Sequence, residues 1–140
     1  MAEFSTHGLD DLMLDLEAIA EIPEDIQDEM LMAMAEVTAE GQRKKARAYG
    51  VKDTGLTIRK IKPGKIKVKN GIRMIHVTPT GTRKRGEKRV RNAEIAFVNE
   101  FGTRGQKARP FVRDGNAASA TESTAAALEI YDRFLQSKNL

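Results

Sequence analysis

The stretch FVNEFGTRGQKARPFVRD, residues 97–114, holds the junction around which the chain is organised. The period of two in residues 93–98, which sets Ala, Ile and Phe against Glu, Ala and Val, predicts the end of a strand. Gly102 lacks a Cβ and permits a sharp turn, and Pro110 presets φ for the first turn of a helix. The stretch therefore predicts a strand–loop–helix junction.

One carboxylate and two aromatic side chains lie in this junction. Glu100 is either an exposed carboxylate at a strand end or a clamp on the loop that follows. We favour the clamp, in which Glu100 accepts N–H bonds from the turn at 102–105 or pairs with Arg104 or Arg109. We interpret the two aromatic residues, Phe101 and Phe111, as part of the core. The alternative is that they contact another subunit.

Three helices are predicted. Apolar residues at helical spacing predict a short N-terminal helix over residues 9–20. Pro23 and Gly50 delimit a second helix, expected from Pro23 to Ala48, and the last helix is expected from Pro110 to Gln136. The expected buried side of the second helix is Ile26, Met30, Met34 or Ala33, Val37 and Gly41. That of the last helix is Phe111, Ala118, Thr121, Ala125, Leu128, Tyr131 and Leu135.

Residues 51–98 are predicted to form β-structure. A first strand is expected over residues 56–61, and Asn70-Gly71 is a strong hairpin signal because both residue types tolerate positive φ. The segment 83–91 has no apolar residue before Val90, so we expect a mobile basic loop over residues 80–91.

These elements predict an α+β fold in a single domain spanning residues 1–140. A small, mainly antiparallel sheet is expected to pack against two long helices, with the short N-terminal helix at an edge or against a neighbour. Residues 1–8 are expected to be a flexible lead-in, and residues 137–140 to fray.

Composition argues against several kinds of site. The chain has no cysteine, which excludes disulfides and thiolate metal ligands, and its two histidines are far apart in sequence. It has neither a nucleophile motif nor a phosphate-cradling glycine loop. We therefore expect no catalytic residue, no metal and no cofactor. No apolar run approaches a membrane span and no signal-peptide pattern is present, so we expect an intracellular protein.

Charge is distributed unevenly along the chain. Residues 1–42 contain twelve Asp or Glu and no Lys or Arg, whereas residues 43–91 contain eighteen Lys or Arg against two acids. Such segregation predicts an acidic face and a basic face.

Two motifs resemble a known protein family. Glu100-Phe101-Gly102-Thr103, a basic loop and Pro110-Phe111-Val112 resemble the "EFGT…PF" junction of the gene-product-ten-like tail components of Hong Kong 97-type bacteriophages. The segment 53–61, with Thr54 and Gly55 near its start, is similar to that family's strand entry. The resemblance implies a tail-completion or head–tail joining protein that forms a ring, expected to be a hexamer, around the DNA path. It also implies neck or tail proteins as partners, and a location in the host cytoplasm and then in the virion.

The basic segment has three interpretations: a solvated loop, a DNA-facing loop, or a docking loop for the acidic helices of the next subunit. Its cations are Arg83, Lys84, Arg85, Lys88, Arg89 and Arg91. The rival to the phage hypothesis is a non-specific DNA-binding protein that uses the basic 43–91 surface, without base recognition because that surface offers a single aromatic residue, Tyr49.

Overall fold

The computed structural model describes residues 22–51 and 56–138. The elements in chain order are helices α1 (Glu24–Ala48) and α2 (Leu56–Arg59), strands β1 (Ile61–Pro63), β2 (Lys67–Lys69), β3 (Ile72–Met74), β4 (Val77–Pro79), β5 (Thr82–Arg85) and β6 (Lys88–Arg91), and helices α3 (Asn92–Phe101) and α4 (Phe111–Ser137). The fold is α+β, as predicted. The lead-in and the helix expected over residues 9–20 lie outside the described residues, as do residues 139 and 140.

The two long helices, α1 and α4, pack against each other as the main layer of the fold. Their bounds agree with the prediction to within one residue at each end, because Pro23, Gly50 and Pro110 mark the ends in the sequence. Gly41 and Gly115 meet where the helices approach most closely: a Cβ on Gly41 would lie 2.8 Å from the carbonyl oxygen of Gly115.

The predicted buried sides of both helices were largely wrong: of the predicted residues, Phe111 is buried and Gly41 lies in the contact between the helices. The buried residues are smaller: Ala35, Ala39, Gln42 and Ala46 on α1, and Gly115, Ser119, Ser123 and Ala127 on α4. Small side chains allow the two helix backbones to approach, so the contact excludes water without large apolar groups. The larger residues chosen from the sequence, such as Met30 and Val37, are only partly buried.

The strands form three two-stranded antiparallel pairs: β1 with β4, β2 with β3, and β5 with β6. The first two make one long interrupted hairpin whose turn is the predicted Asn70-Gly71, where both residues have positive φ. This hairpin lies along α1, where Arg43 donates to the carbonyl of Ile61 and Arg73 pairs with Asp28.

Three predictions in the β region were wrong. The expected first strand begins only at Ile61, after the short helix α2. The expected strand at 93–98 is part of α3, because six residues fit a helical period as well as an alternating one, and Ala and Glu disfavour strands. The basic segment is a hairpin rather than an irregular loop, since cross-strand backbone bonds form without an apolar face.

The core lies where the helix pair meets the hairpin base and α3. It consists of Ala39, Ala46, Val51, Ile61, Ala96 and Phe111. Phe111 is fully buried, as predicted, and fixes the start of α4 in this core.

Candidate functional site

The junction between α3 and α4 is held by Glu100. Its two carboxylate oxygens accept the backbone N–H groups of Val112 (2.8 Å) and Arg113 (3.1 Å). Pro110 occupies the N-cap position of α4 and has no side-chain acceptor, so Glu100, which lies twelve residues before Val112, supplies the missing cap. A negative charge at this helix end is also favoured by the helix dipole.

The predicted clamp was therefore correct in kind and wrong in its partners. Glu100 accepts backbone N–H bonds, but those of the helix rather than those of the turn, and it pairs with neither Arg104 nor Arg109. Sequence signals for the helix start were present in Pro110-Phe111. They do not reveal that the last turn of α3 lies against the start of α4.

The loop between the helices is tied down by its own backbone. Gly102 has φ +74°, and a Cβ there would lie 2.7 Å from the Gln106 carbonyl oxygen, so the position requires glycine. Thr103 and Gln106 exchange backbone bonds of 2.9 and 3.2 Å. Asn99, a buried residue not singled out in the sequence, accepts from the Gln106 side-chain amide and, through its carbonyl, from the N–H of Arg109.

The end of α1 is fastened to the start of α4 by Tyr49 and Asp114. The Tyr49 hydroxyl donates to one carboxylate oxygen of Asp114, and the Arg113 Nε donates to the other at 2.9 Å. These bonds, that from Tyr49 foremost, hold the pKa of Asp114 below its ordinary value. The same carboxylate raises the pKa of Tyr49.

An apolar stripe runs along the outer side of α3. Ala93, Phe97 and Phe101 recur four residues apart, and the Phe97 and Phe101 rings contact each other with centroids 4.7 Å apart. Phe97 is 63% exposed and Phe101 68%, so the prediction that Phe101 belongs to the core was wrong. A groove of about 240 Å³ lies beside the stripe, walled on its other side by β4 and by Val112.

The six predicted basic residues are brought together on one hairpin, β5–β6. Arg83 and Val90 are partly buried and face the body, where the Arg83 guanidinium donates to Thr57 at 2.9 Å. The other cations of the hairpin are exposed: Lys84, Arg85, Lys88, Arg89 and Arg91. Thr54 and Gly55, the remaining motif residues, lie outside the described residues.

Within residues 22–51 and 56–138, no group of three or more His, Asp or Glu is placed to hold a metal ion. The helices of these ranges also include none with the length and apolar character to cross a membrane. The candidate site thus consists of two surfaces, the apolar stripe and the basic hairpin. The junction between α3 and α4, held by Glu100, fixes the position of the stripe.

Comparison with known proteins identifies no relative: no family model, no curated protein and no solved structure matches the chain.

Proposed function

We propose that the chain is a structural assembly protein of a tailed phage or prophage. It acts as a tail-completion or head–tail connector component in an oligomeric ring around the DNA path. The observation that carries the proposal is the apolar stripe of α3, where two phenylalanines in contact with each other face outward beside an apolar groove. A surface of this kind is characteristic of a contact between proteins.

The resemblance of the junction supports the same function. The motif residues Glu100 and Phe111 fix the direction of α3 relative to α4, one by capping and the other by burial. A ring requires each subunit to present its contact surface at a fixed angle to its body. The motif therefore gives α3 the fixed orientation that a ring subunit needs.

The stripe's partner in this proposal is a second copy of the chain. Phe97 and Phe101 of one subunit contact the body of the next, repeated around a closed ring that we take to be a hexamer by resemblance. Neighbouring neck or tail proteins bind the finished ring. The protein then occurs in the host cytoplasm during assembly and in the virion afterwards.

Electron microscopy of a lysate from a phage or prophage that lacks this gene tests the proposal. We expect filled heads lying apart from tails, or tails with abnormal ends. Restoring the gene in trans is the control and should return joined particles. Normal joined particles in the deletion lysate would refute the proposal.

A further inference from the structure

The β5–β6 hairpin places like charges directly opposite each other. In its register, Lys84 faces Arg89 and Arg85 faces Lys88, so the two pairs nearest the turn are both cation against cation. Opposed like charges destabilise a two-stranded sheet, and an isolated hairpin is only marginally stable. The arrangement therefore weakens the hairpin's own folding.

The base of the hairpin compensates for this repulsion. Arg83 donates to the buried Thr57, and the backbone N–H of Asn92 donates to the carbonyl of Gly81 at 3.0 Å. The Asn92 side-chain amide donates to the carbonyl of Thr80 at 2.7 Å. The hairpin is thus anchored at one end and projects its charged end away from these bonds.

The exposed cations have little to neutralise them. Residues 84, 89 and 91 share the side opposite Arg83 and Val90, and so face solvent. Arg91 pairs with Glu94 at 3.0 Å. For the four cations nearest the turn, the described part of the chain supplies no carboxylate within ion-pair distance.

A second basic element lies beside the hairpin. Arg85 of the hairpin and Arg109 of the loop after α3 both line a cleft of about 580 Å³. The Arg109 guanidinium is held there by the carbonyl of Gly50 at 3.0 Å. The same loop also exposes Arg104 and Lys107, which extend the positive surface past the hairpin.

We propose that the charged end of the β5–β6 hairpin, formed by Lys84, Arg85, Lys88 and Arg89, binds the phosphates of double-stranded nucleic acid, without reading its sequence. Duplex phosphates supply the dense negative charge that relieves the cross-strand repulsion. A two-stranded ribbon also has the width to enter a major groove. This inference does not rest on the proposed function, since the hairpin's charge is a property of the single chain.

The chemistry of the hairpin favours a duplex over other polyanions. Single-stranded nucleic acid is usually held by stacking on aromatic side chains, and neither β5 nor β6 carries one. A protein partner would be expected to find an apolar centre, but the only apolar residue of the hairpin, Val90, faces the body. The hairpin therefore offers only positive charge to a partner, which is sufficient for binding a phosphate backbone.

The test measures affinity of the purified full chain for a labelled random-sequence duplex by fluorescence anisotropy across a salt series. The variant is K88E/R89E, which sets a carboxylate opposite Arg85 and Lys84 and so strengthens the hairpin's pairing rather than unfolding it. The control is K67E/K69E on β2, which removes the same net charge from another exposed ribbon. Circular dichroism checks that both variants fold.

We expect the native chain and K67E/K69E to show similar steep losses of affinity as salt rises. In K88E/R89E, the slope of log affinity against log salt should decrease by roughly 2, about one unit for each lost phosphate contact. Affinity for the duplex at low salt should fall at least tenfold.

Three results would overturn the inference. One is no duplex binding by the native chain at low salt, which would leave the hairpin's charges as protection of a sheet edge against pairing. Another is an equal loss in both variants, which would reduce the effect to net charge. The third is equal competition by poly-glutamate or by single-stranded DNA, which would assign the surface to another class of partner.

Discussion

The α1–α4 contact and the outer surfaces of α3 and β5–β6 are built on opposite rules. Between the long helices the side chains are small, the backbones almost touch at Gly41 and Gly115, and the surface is removed from water. On α3 and the basic hairpin the side chains are large, exposed, and either apolar or charged. The first region stabilises the chain, and the second is suited to bind something else.

The comparison implies that substitutions in the two regions separate stability from binding. Residues in the helix contact and in the junction should change the free energy of unfolding. Residues on the outer surfaces should change it little.

The largest effect is expected at Phe111. F111A empties a fully buried site between the helix pair and the hairpin, and should lower the free energy of unfolding by about 3–5 kcal/mol. Urea denaturation measures it. F97A is the matched control, since it removes the same ring from an exposed position; an equal loss in both variants would erase the distinction between the regions.

The next effect is expected where the helices touch. G115A places a Cβ 2.6 Å from the Cα of Gln42, so α1 and α4 must separate. We expect a loss of about 1–3 kcal/mol in thermal or urea unfolding, even though alanine favours helix more than glycine does. G105A, where a Cβ meets no atom within 4 Å, should be close to neutral. Unchanged stability of G115A would mean that the contact is looser than described.

A smaller effect is expected at the cap. E100A leaves two N–H groups at the start of α4 without their acceptor and should cost about 0.5–2 kcal/mol of unfolding free energy. E122A, on the exposed side of the same helix, is the control. Hydrogen exchange should locate the change at residues 112 and 113, and faster exchange elsewhere instead would argue against capping.

The link between Tyr49 and Asp114 should appear as a pH dependence. The folded chain holds the pKa of Asp114 below its ordinary 3.8, so this carboxylate stabilises the fold above that pH and ceases to do so as the pH falls through the lowered value. D114N should therefore be less stable than the native chain at neutral pH, and the difference in Tm should shrink in acid.

Y49F should show the same pH dependence of stability as D114N, because it removes the donor with the largest effect on the Asp114 pKa. D132N, an exposed carboxylate near the other end of α4, serves as control. If the difference in Tm between the native chain and D114N were as large at about pH 3 as at neutral pH, the stabilising role of the Asp114 carboxylate would be contradicted.

Sequence reasoning recovered the parts of the fold that short signals determine. Proline and glycine set the ends of α1 and α4, and Asn70-Gly71 set a hairpin turn, because each acts through its own backbone. The buried side of α1 was misjudged because large apolar residues were expected to face inward, whereas the partner helix selects the smallest side chains. On α4 small residues occur on every side, so their pattern did not show that Gly115, Ser119, Ser123 and Ala127 face α1. Which side is buried depends on how closely two distant segments approach.

The candidate site was recovered in composition and misplaced in geometry. Glu100 and the six hairpin cations were identified, yet the contact of Glu100 with α4 spans twelve residues and has no local pattern. Phe101 was assigned to the core because it is aromatic. The sequence does not show which side of α3 it occupies. Tyr49, Asp114 and Asn99 were missed for the same reason, since each acts through a partner distant in sequence.

The central claim is that the α3 stripe joins subunits without supporting the subunit itself. Because Phe97 and Phe101 are mostly exposed, F97S/F101S should leave a folded chain, with less than about 1 kcal/mol lost in unfolding. L128S, which alters an exposed apolar residue on α4, is the matched control.

The decisive measurement is an electron-microscope count of joined particles in gene-deleted lysates supplied with each of these alleles. We predict joined particles with the native and L128S alleles, and separate heads and tails with F97S/F101S although its protein accumulates in folded form. Joined particles at the native level with F97S/F101S would contradict the account.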